Sequence, residues 1–509
     1  MLAVVSSAVV VGVRGIPVTV EVHVSHGLPG FTVVGLPDAA CRESRDRVRA
    51  ALLSSDLKWP DKRITVNLAP SGVRKSGAVL DVAIAVALVE ASGQIPPCST
   101  EGRSYIGELG LDGAIRPVPG LLPLVASVAH DSVVVPIDAA ATALAVPGCR
   151  PRPVGHLSEL IAMLTNKQPW TPIPDRDPVQ LPTRGPDLAE VLGQPLGRLA
   201  VEVAAAGGHH LLLLGPPGAG KTMLARRLVG LLPALIDSEA LDVSMIHSAA
   251  GLHLPSGGLV RRPPLREPHH SISAVGLVGG GSTRIRPGAV SLAHRGVLFL
   301  DELGEFSPHV LEMLRQPLED GSISVVRAAA TENFPARFLL VAAMNPCPCG
   351  EAGKPGACRC SGFEKARYGR RLSGPLLDRF DLRVMVDRPP ADVVLSQDRS
   401  ESSADVAVRV ANARQRALAR GVSSNAELRA PDLDEFGPLT SAATELLRAA
   451  LDRGSISPRG AHRLRRVAIT IADLQDTDAA IDAPIGPHTM GTAMALRTEP
   501  ERLLAEVGQ

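Results

Sequence analysis

Between positions 215 and 222 the chain reads Gly215, Pro216, Pro217, Gly218, Ala219, Gly220, Lys221 and Thr222. No other stretch restricts the fold as strongly. The run fits G-x-x-x-x-G-K-[ST], follows the apolar segment His210–Leu214 and precedes a helical pattern over Met223–Leu232. A strand, a glycine-rich turn and a helix in that order bring backbone N–H groups together at a helix N-terminus, which is an anion site. The spacing predicts a phosphate cradle for ATP. Lys221 is expected to reach the β- and γ-phosphates, and the Thr222 hydroxyl to ligate Mg²⁺.

A cradle alone does not hydrolyse anything. The run Gly296–Leu300 reads as a second buried strand and ends in Asp301 and Glu302. Asp301 is expected in the Mg²⁺ shell, and Glu302 beside the attacking water as its base. A third strand pattern, Phe338–Ala343, leads to Asn345, placed to orient that water. An asparagine at a strand end is also a common turn residue.

Around these motifs the chain divides readily. Asn166 to Pro186 carries six prolines without helical or strand period, the mark of a semi-rigid spacer. Before it, residues 1–165 mix short Val/Ile strands, including the alternation Val18, Val20, Val22, Val24, with helical stretches at Cys41–Leu53, Val79–Ala91 and Leu121–Ala129. After it, residues 187–390 hold the phosphate motifs and open on a predicted helix over Leu188–Ala205. Residues 391–509 are helical, with Val406–Arg420, Ser441–Arg453 and Pro458–Leu474. The apolar run Met1–Val13 is shorter than the ~18 residues a membrane span requires. With no targeting signal legible, the expected location is cytoplasmic, with no membrane partner.

The order of Gly215–Thr222, Gly296–Glu302, Ala343-Met-Asn345 and Gly374-Pro-Leu-Leu-Asp-Arg379-Phe380-Asp381 resembles that of AAA+ ATPases. Other stretches are similar to the magnesium-chelatase-like members, specifically the YifB/ComM family. They are Val34-Gly-Leu-Pro-Asp38, Glu43-Ser-Arg-Asp-Arg-Val48, Pro268-His-His-Ser271, Leu277-Val-Gly-Gly-Gly281, Arg315-Gln-Pro-Leu-Glu-Asp-Gly321 and Asn345-Pro-Cys-Pro-Cys-Gly350. The chain departs from the family at Leu265 and Glu267, usually Phe and Ala, and in the tail after Asp482. The resemblance implies an α/β fold: an N-terminal Lon-type α/β domain, a P-loop AAA+ core with a parallel sheet, and a C-terminal helical lid. It also implies that Arg379 is an arginine finger supplied to a neighbouring subunit, and that Arg459, or failing it Arg463, is the lid's sensor arginine. A finger acting in trans implies a homo-oligomeric ring, expected to be a hexamer.

Proteolytic relatives of the Lon-type domain carry a serine and a lysine where this chain has Val79 and Leu122. Without nucleophile or base there is no acyl transfer, so a scaffold or DNA-guiding collar is expected instead.

Four of the seven cysteines cluster, as Cys347-Pro-Cys349 and Cys358-Arg-Cys360. Four thiolates on two turns can close a tetrahedron round a structural Zn²⁺; free thiols or an iron–sulfur cluster are the alternatives.

Acids and bases nearly cancel, 52 against 53, which excludes a polycation. Charge is nonetheless uneven. Arg261, Arg262, Arg266, Arg284, Arg286 and Arg295 face one acid, Glu267, giving +5; Lys354, Arg359, Lys365, Arg367, Arg370 and Arg371 face Glu364, giving +5 again. The first segment, and a predicted hairpin of Ser322–Arg327 with Asn333–Leu339, are the kind of insertion that faces the pore of AAA+ rings. His269 and His270 would add donors there, or form a metal pair. A solvated face is the plain reading of such arginines; the other is contact with DNA phosphates. Aromatics are 2% of the chain, so binding by base stacking is not expected. The expected function is an ATP-driven DNA motor of helicase or branch-migration type, with a chelatase-type ATPase driving metal insertion through a partner subunit as the alternative. A nucleotide switch without hydrolysis is disfavoured by Glu302 and Arg379.

Overall fold

The computed structural model describes residues 1–75, 77–129, 132–173, 185–255, 257–281, 285–327, 330–352, 357–369, 371, 374–395, 400–475 and 480–498. Its N-terminal part is built on a seven-stranded mixed sheet. The strands are β1 (Leu2–Val11), β2 (Arg14–Ser25), β3 (Gly30–Val34), β4 (Arg63–Ala69), β5 (Arg103–Tyr105), β6 (Ser132–Pro136) and β7 (Arg150–Val154), in the order β3-β4-β2-β1-β5-β6-β7. Val18, Val20, Val22 and Val24 of β2 all point inward, as a period of two requires. Helix Asp81–Ala91 packs across β1 and β2, and all its residues but Glu90 are buried. Of its two carboxylates, the buried one, Asp81, is satisfied by Arg47 Nε at 2.7 Å. Val79 and Leu122 both fill this core.

Proline resets two predicted boundaries. The helix expected over Leu188–Ala205 starts only at Pro195 and runs to Gly207, because proline suits the first helical turn and breaks an interior one. The hairpin is β11 (Ser322–Arg327) paired with β12 (Ala330–Pro335), not with Asn333–Leu339. Pro335 has no N–H to continue that ladder, and the chain beyond it joins the central sheet. The Cys41–Leu53 stretch splits into Ala39–Arg42 and Ser44–Ser54.

That central sheet has five parallel strands: β8 (Leu211–Leu214), β9 (Leu265–Arg266), β10 (Val297–Leu300), β13 (Leu339–Met344) and β14 (Leu382–Met385), in the order β9-β10-β13-β8-β14. β8, β10 and β13 are buried at every residue, the continuous apolar run of a sheet covered on both faces.

The N-terminal part is fastened to this core. Helix Leu121–Ser127 packs on helix Asp237–Ala250, where Ser248 Oγ accepts from Leu122 N at 3.3 Å. Glu332 of the hairpin lies against the Gly12 turn between β1 and β2. Near the beginning of the proline-rich spacer the guanidinium groups of Arg103 and Arg152 lie 5.5 and 5.4 Å from the centre of the Trp170 ring; residues 174–184 lie outside the described residues. No helix among the described residues is long and apolar enough to cross a membrane.

The C-terminal helices Ser403–Ala419, Ser441–Asp452, Pro458–Gln475 and Pro487–Ala495 pack as a bundle against helix Pro195–Gly207. The described part of the tail, residues 483–498, supplies the last of these helices, and Arg497 beyond it donates to the carbonyls of Phe380 and Asp381 at 2.7 and 2.9 Å; residues 499–509 lie outside the described residues. At the bundle's centre the buried Asp473 carboxylate accepts from Arg416 Nε at 2.7 Å, Arg420 Nη1 at 2.6 Å and Asn425 Nδ2 at 2.8 Å. Asp473→Ala strands the buried Arg420, a loss of about 3–5 kcal/mol in the bundle. Hydrogen exchange should show Pro458–Gln475 losing protection while β1 and β2 keep theirs; equal protection in the variant contradicts this account.

Candidate functional site

Strand β8 delivers the phosphate loop at the carboxyl edge of the sheet. Gly215 must be glycine, because a Cβ there would lie 2.0 Å from the Val386 carbonyl oxygen. Gly218 and Gly220 take left-handed backbones, φ +77° and +88°, which turn the chain sharply into helix Lys221–Leu228. Two side chains fasten the loop from outside: Gln194 Nε2 donates to Ala219 O at 3.0 Å, and Arg388 Nε to Pro217 O at 2.8 Å. Neither is visible as a site residue in the sequence. Each becomes one only because helix Pro195–Gly207 and strand β14 flank β8.

Lys221 is largely buried, and its ammonium donates to Gly215 O at 2.7 Å, Pro216 O at 2.9 Å and Asn345 Oδ1 at 3.0 Å. Burial lowers its pKa, partly opposed by the Asp301 carboxylate. Thr222 Oγ1 donates to Asp301 Oδ2 at 2.8 Å, and Asp301 Oδ1 accepts from the Glu302 N–H at 2.9 Å. A hydroxyl and a carboxylate meeting at the mouth of an anion cradle are hard oxygen donors, the kind Mg²⁺ takes when it also binds phosphate oxygens. The cleft they line, from Pro217 to Met223 and on to Asp301, Glu302 and Asn345, has a volume of about 360 Å³.

Glu302 occupies a left-handed backbone at φ +53°, unusual for a residue with a side chain. Its carboxylate is exposed and pairs with His270 Nδ1 at 3.2 Å; His270 stacks on His269 at 4.0 Å between ring centres. The histidine pair read from sequence as loop donors or a metal site thus includes the partner of Glu302. Strand β9, beside β10, brings it there.

The two arginines named from the resemblance stand elsewhere. Arg379 is bound to Glu319, which Arg315 also faces. Arg459 is exposed in the first turn of Pro458–Gln475, whereas Arg463, one turn on, reaches Asp381 Oδ1 at 3.4 Å. Burial alone would raise the Asp381 pKa, but the His209 hydrogen bond and the nearby positive charges hold it well below the usual carboxylate range.

The arginines expected at DNA do not form one face. Arg261 pairs with Asp237 at 2.6 Å. Arg266 turns inward to the Leu292 carbonyl and His247 Nε2, at 3.4 and 3.3 Å, because its β9 position faces helix Asp237–Ala250 and its neighbours. Arg262 and Arg286 are exposed; Arg284 lies outside the described residues. In the second basic segment Arg359 and Arg367 are exposed, Arg371 binds Gly304 O and Glu305, and Lys354 and Arg370 lie outside the described residues. Glu267, at a position where the family usually has Ala, holds Arg226 of the phosphate-loop helix through two hydrogen bonds of 3.0 and 3.1 Å.

The four clustered cysteines do come together. Their sulfurs all lie within 4.8 Å of one another, with Cys347 3.4 Å from Cys349 and 3.8 Å from Cys358. Four thiolates at bond lengths of about 2.3 Å round one ion stand about 3.8 Å apart, so the set fits a single tetrahedral metal.

Three family profiles match the chain: "Magnesium chelatase, subunit ChlI" over residues 187–394, "Subunit ChlI of Mg-chelatase" over 20–139, and "Magnesium chelatase, subunit ChlI C-terminal" over 400–497. A protein of Mycobacterium tuberculosis is 49% identical over 92% of this chain and 94% of its own length. YifB of Escherichia coli is 42% identical over 94% of each chain. Competence protein ComM of Haemophilus influenzae is 42% identical over 93% of this chain and 94% of its own. With a phosphate loop, a paired carboxylate strand end and matches along nearly its whole length, the chain belongs to the YifB/ComM family of magnesium-chelatase-like AAA+ ATPases.

Proposed function

We propose that this chain is an ATP-hydrolysing motor that works as a ring, a hexamer, and acts on DNA as a helicase or branch-migration enzyme. The observation that carries the reading is the convergence of Lys221, Thr222, Asp301, Glu302 and Asn345 on one cleft at a helix N-terminus. In this reading the loop amides and the Lys221 ammonium bind the phosphates of ATP, and Thr222 and Asp301 hold Mg²⁺. When bound, the ion neutralises charge on the β- and γ-oxygens. Glu302 takes the proton of the attacking water, and Asn345 orients that water while keeping Lys221 aimed at the phosphates. His270, 3.2 Å from the Glu302 carboxylate, sets the direction of that base.

In the same reading Arg379 is the finger supplied to the ATP of a neighbouring subunit, and Arg459, or failing it Arg463, is the sensor arginine of the lid. A fixed guanidinium there stabilises the charge of the transferring phosphoryl group. The DNA part of the reading is supported by the full-length relative named a competence protein and by the exposed Arg262, Arg286, Arg359 and Arg367. With 2% aromatics, contact is through phosphates. A chelatase-type ATPase acting through a partner subunit is the second reading, favoured by the names of the three matching profiles. It predicts turnover indifferent to DNA.

Glu302→Gln should lower phosphate release by about 10²- to 10⁴-fold while a fluorescent ATP analogue still binds; unchanged turnover removes the carboxylate from the role of base. Arg379→Ala should lower turnover by about 10³-fold or more. Mixing it with the Lys221→Ala chain, which keeps its finger but lacks a working cradle, should restore part of the activity. Failure to restore any would sink action in trans. Forked or four-way DNA should stimulate wild-type turnover and be unwound, and Lys221→Ala should do neither; turnover indifferent to every DNA tested points to the chelatase-type reading.

A further inference from the structure

The four cysteines begin two residues after Asn345, and the turn they form lies on the phosphate loop. Cys347 is fully buried, and its carbonyl accepts from Gly350 N at 2.9 Å, closing a tight turn. Gly350 has φ +79°, and a Cβ on it would stand 2.4 Å from Pro217 Cδ. The cysteine turn and the phosphate loop therefore touch backbone to ring, with no room for a side chain between them. The next residue, Glu351, binds Arg388 Nη2 at 2.8 Å, while Nε of the same guanidinium donates to Pro217 O at 2.8 Å. A third link runs through Asn345, whose Oδ1 accepts from Lys221 at 3.0 Å.

Nothing in the nucleotide chemistry requires four thiols here. A turn of Gly and Pro residues has little core to hold it, and Cys349 is exposed. The sulfurs of Cys347, Cys349 and Cys358 stand 3.4 to 3.8 Å apart and all four lie within 4.8 Å, which matches one ion and is too close for a cluster whose irons would part them.

We propose that Cys347, Cys349, Cys358 and Cys360 bind one Zn²⁺, and that the zinc-held turn braces the phosphate loop in its nucleotide-binding shape. The thiols release their protons to solvent on binding, and the ion undergoes no redox change. All four ligand positions are protein sulfur, so the ion is structural and takes no part in hydrolysis. Its effect reaches the nucleotide through Gly350 on Pro217 and through Arg388. The inference rests on the reading of the phosphate loop as a nucleotide site.

The test measures metal content and nucleotide affinity on the full chain. Elemental analysis should find one zinc per chain. Zinc released with a thiol-specific mercurial, followed by excess dithiothreitol with EDTA to clear the mercury from the cysteines and dialysis into Mg²⁺ buffer, should leave affinity for fluorescent ADP about tenfold weaker, the loss expected from one or two missing contacts, and added Zn²⁺ should restore it. Gly350→Ala should keep its zinc and still bind about tenfold more weakly, so unfolding of the stripped chain cannot account for both results. A zinc-free chain that binds ADP as tightly as the loaded one overturns the brace while leaving the metal site. Absence of zinc, or iron in its place, overturns the metal site. A zinc-loaded wild type that binds no nucleotide overturns the nucleotide reading and the brace together.

Discussion

The site depends on the register of parallel strands at the centre of the sheet. Leu214 pairs with Met344 on one side and Met385 on the other, so three chains leave the sheet at the same level. They continue into the phosphate loop, Asn345 and Arg388. Leu300 pairs with Ala342 one strand further out, which sets Asp301 beside the same opening. β8 lies at the point where the strand order reverses, and there the loops on either side part to leave a crevice. A one-residue slip in any of these pairings would invert every side chain of the strand and carry the carboxylates away from Thr222.

Glycine and proline act on this frame in opposite ways. Gly215, Gly220 and Gly350 permit approaches or φ values that a side chain forbids. Pro195 and Pro335 end what precedes them, because neither can donate to a helix or ladder in progress. Much of the fold was legible for this reason. The motif Gly215–Thr222 needs only local backbone freedom, and the strand ends at Asp301 and Asn345 need only apolar runs. The placement of Pro195 was legible in principle too, since a proline seven residues into a predicted helix is itself a boundary signal.

What stayed hidden depends on side-chain direction or on strand order. A run of arginines gives charge per length of chain and not the face each guanidinium occupies; Arg266 ends half-buried against Leu292 and His247, where burial lowers its pKa. His270 meets Glu302 across 32 positions of sequence because β9 lies beside β10. Arg388 and Gln194 reach the phosphate loop from elements that no motif connects to it. Such contacts arise from topology, and topology is decided by the whole set of apolar faces.

The C-terminal helices are joined to the segment carrying Arg379 by buried charge rather than by apolar packing alone. Asp381, two residues from Arg379, faces His209 Nδ1 at 3.3 Å and Arg463 at 3.4 Å, and His209 Nε2 contacts Thr470 Oγ1 at 2.8 Å. Arg463 and Thr470 belong to one lid helix, Pro458–Gln475, and Arg497 of the tail holds the backbone carbonyls of Phe380 and Asp381. A lid that drew away would take Arg463 from the buried Asp381 carboxylate and Thr470 from His209, breaking a charge pair and a hydrogen bond together. Apolar faces can slide at small expense, whereas a desolvated ion pair holds its geometry or breaks. The segment carrying Arg379 is therefore bound to move with the lid.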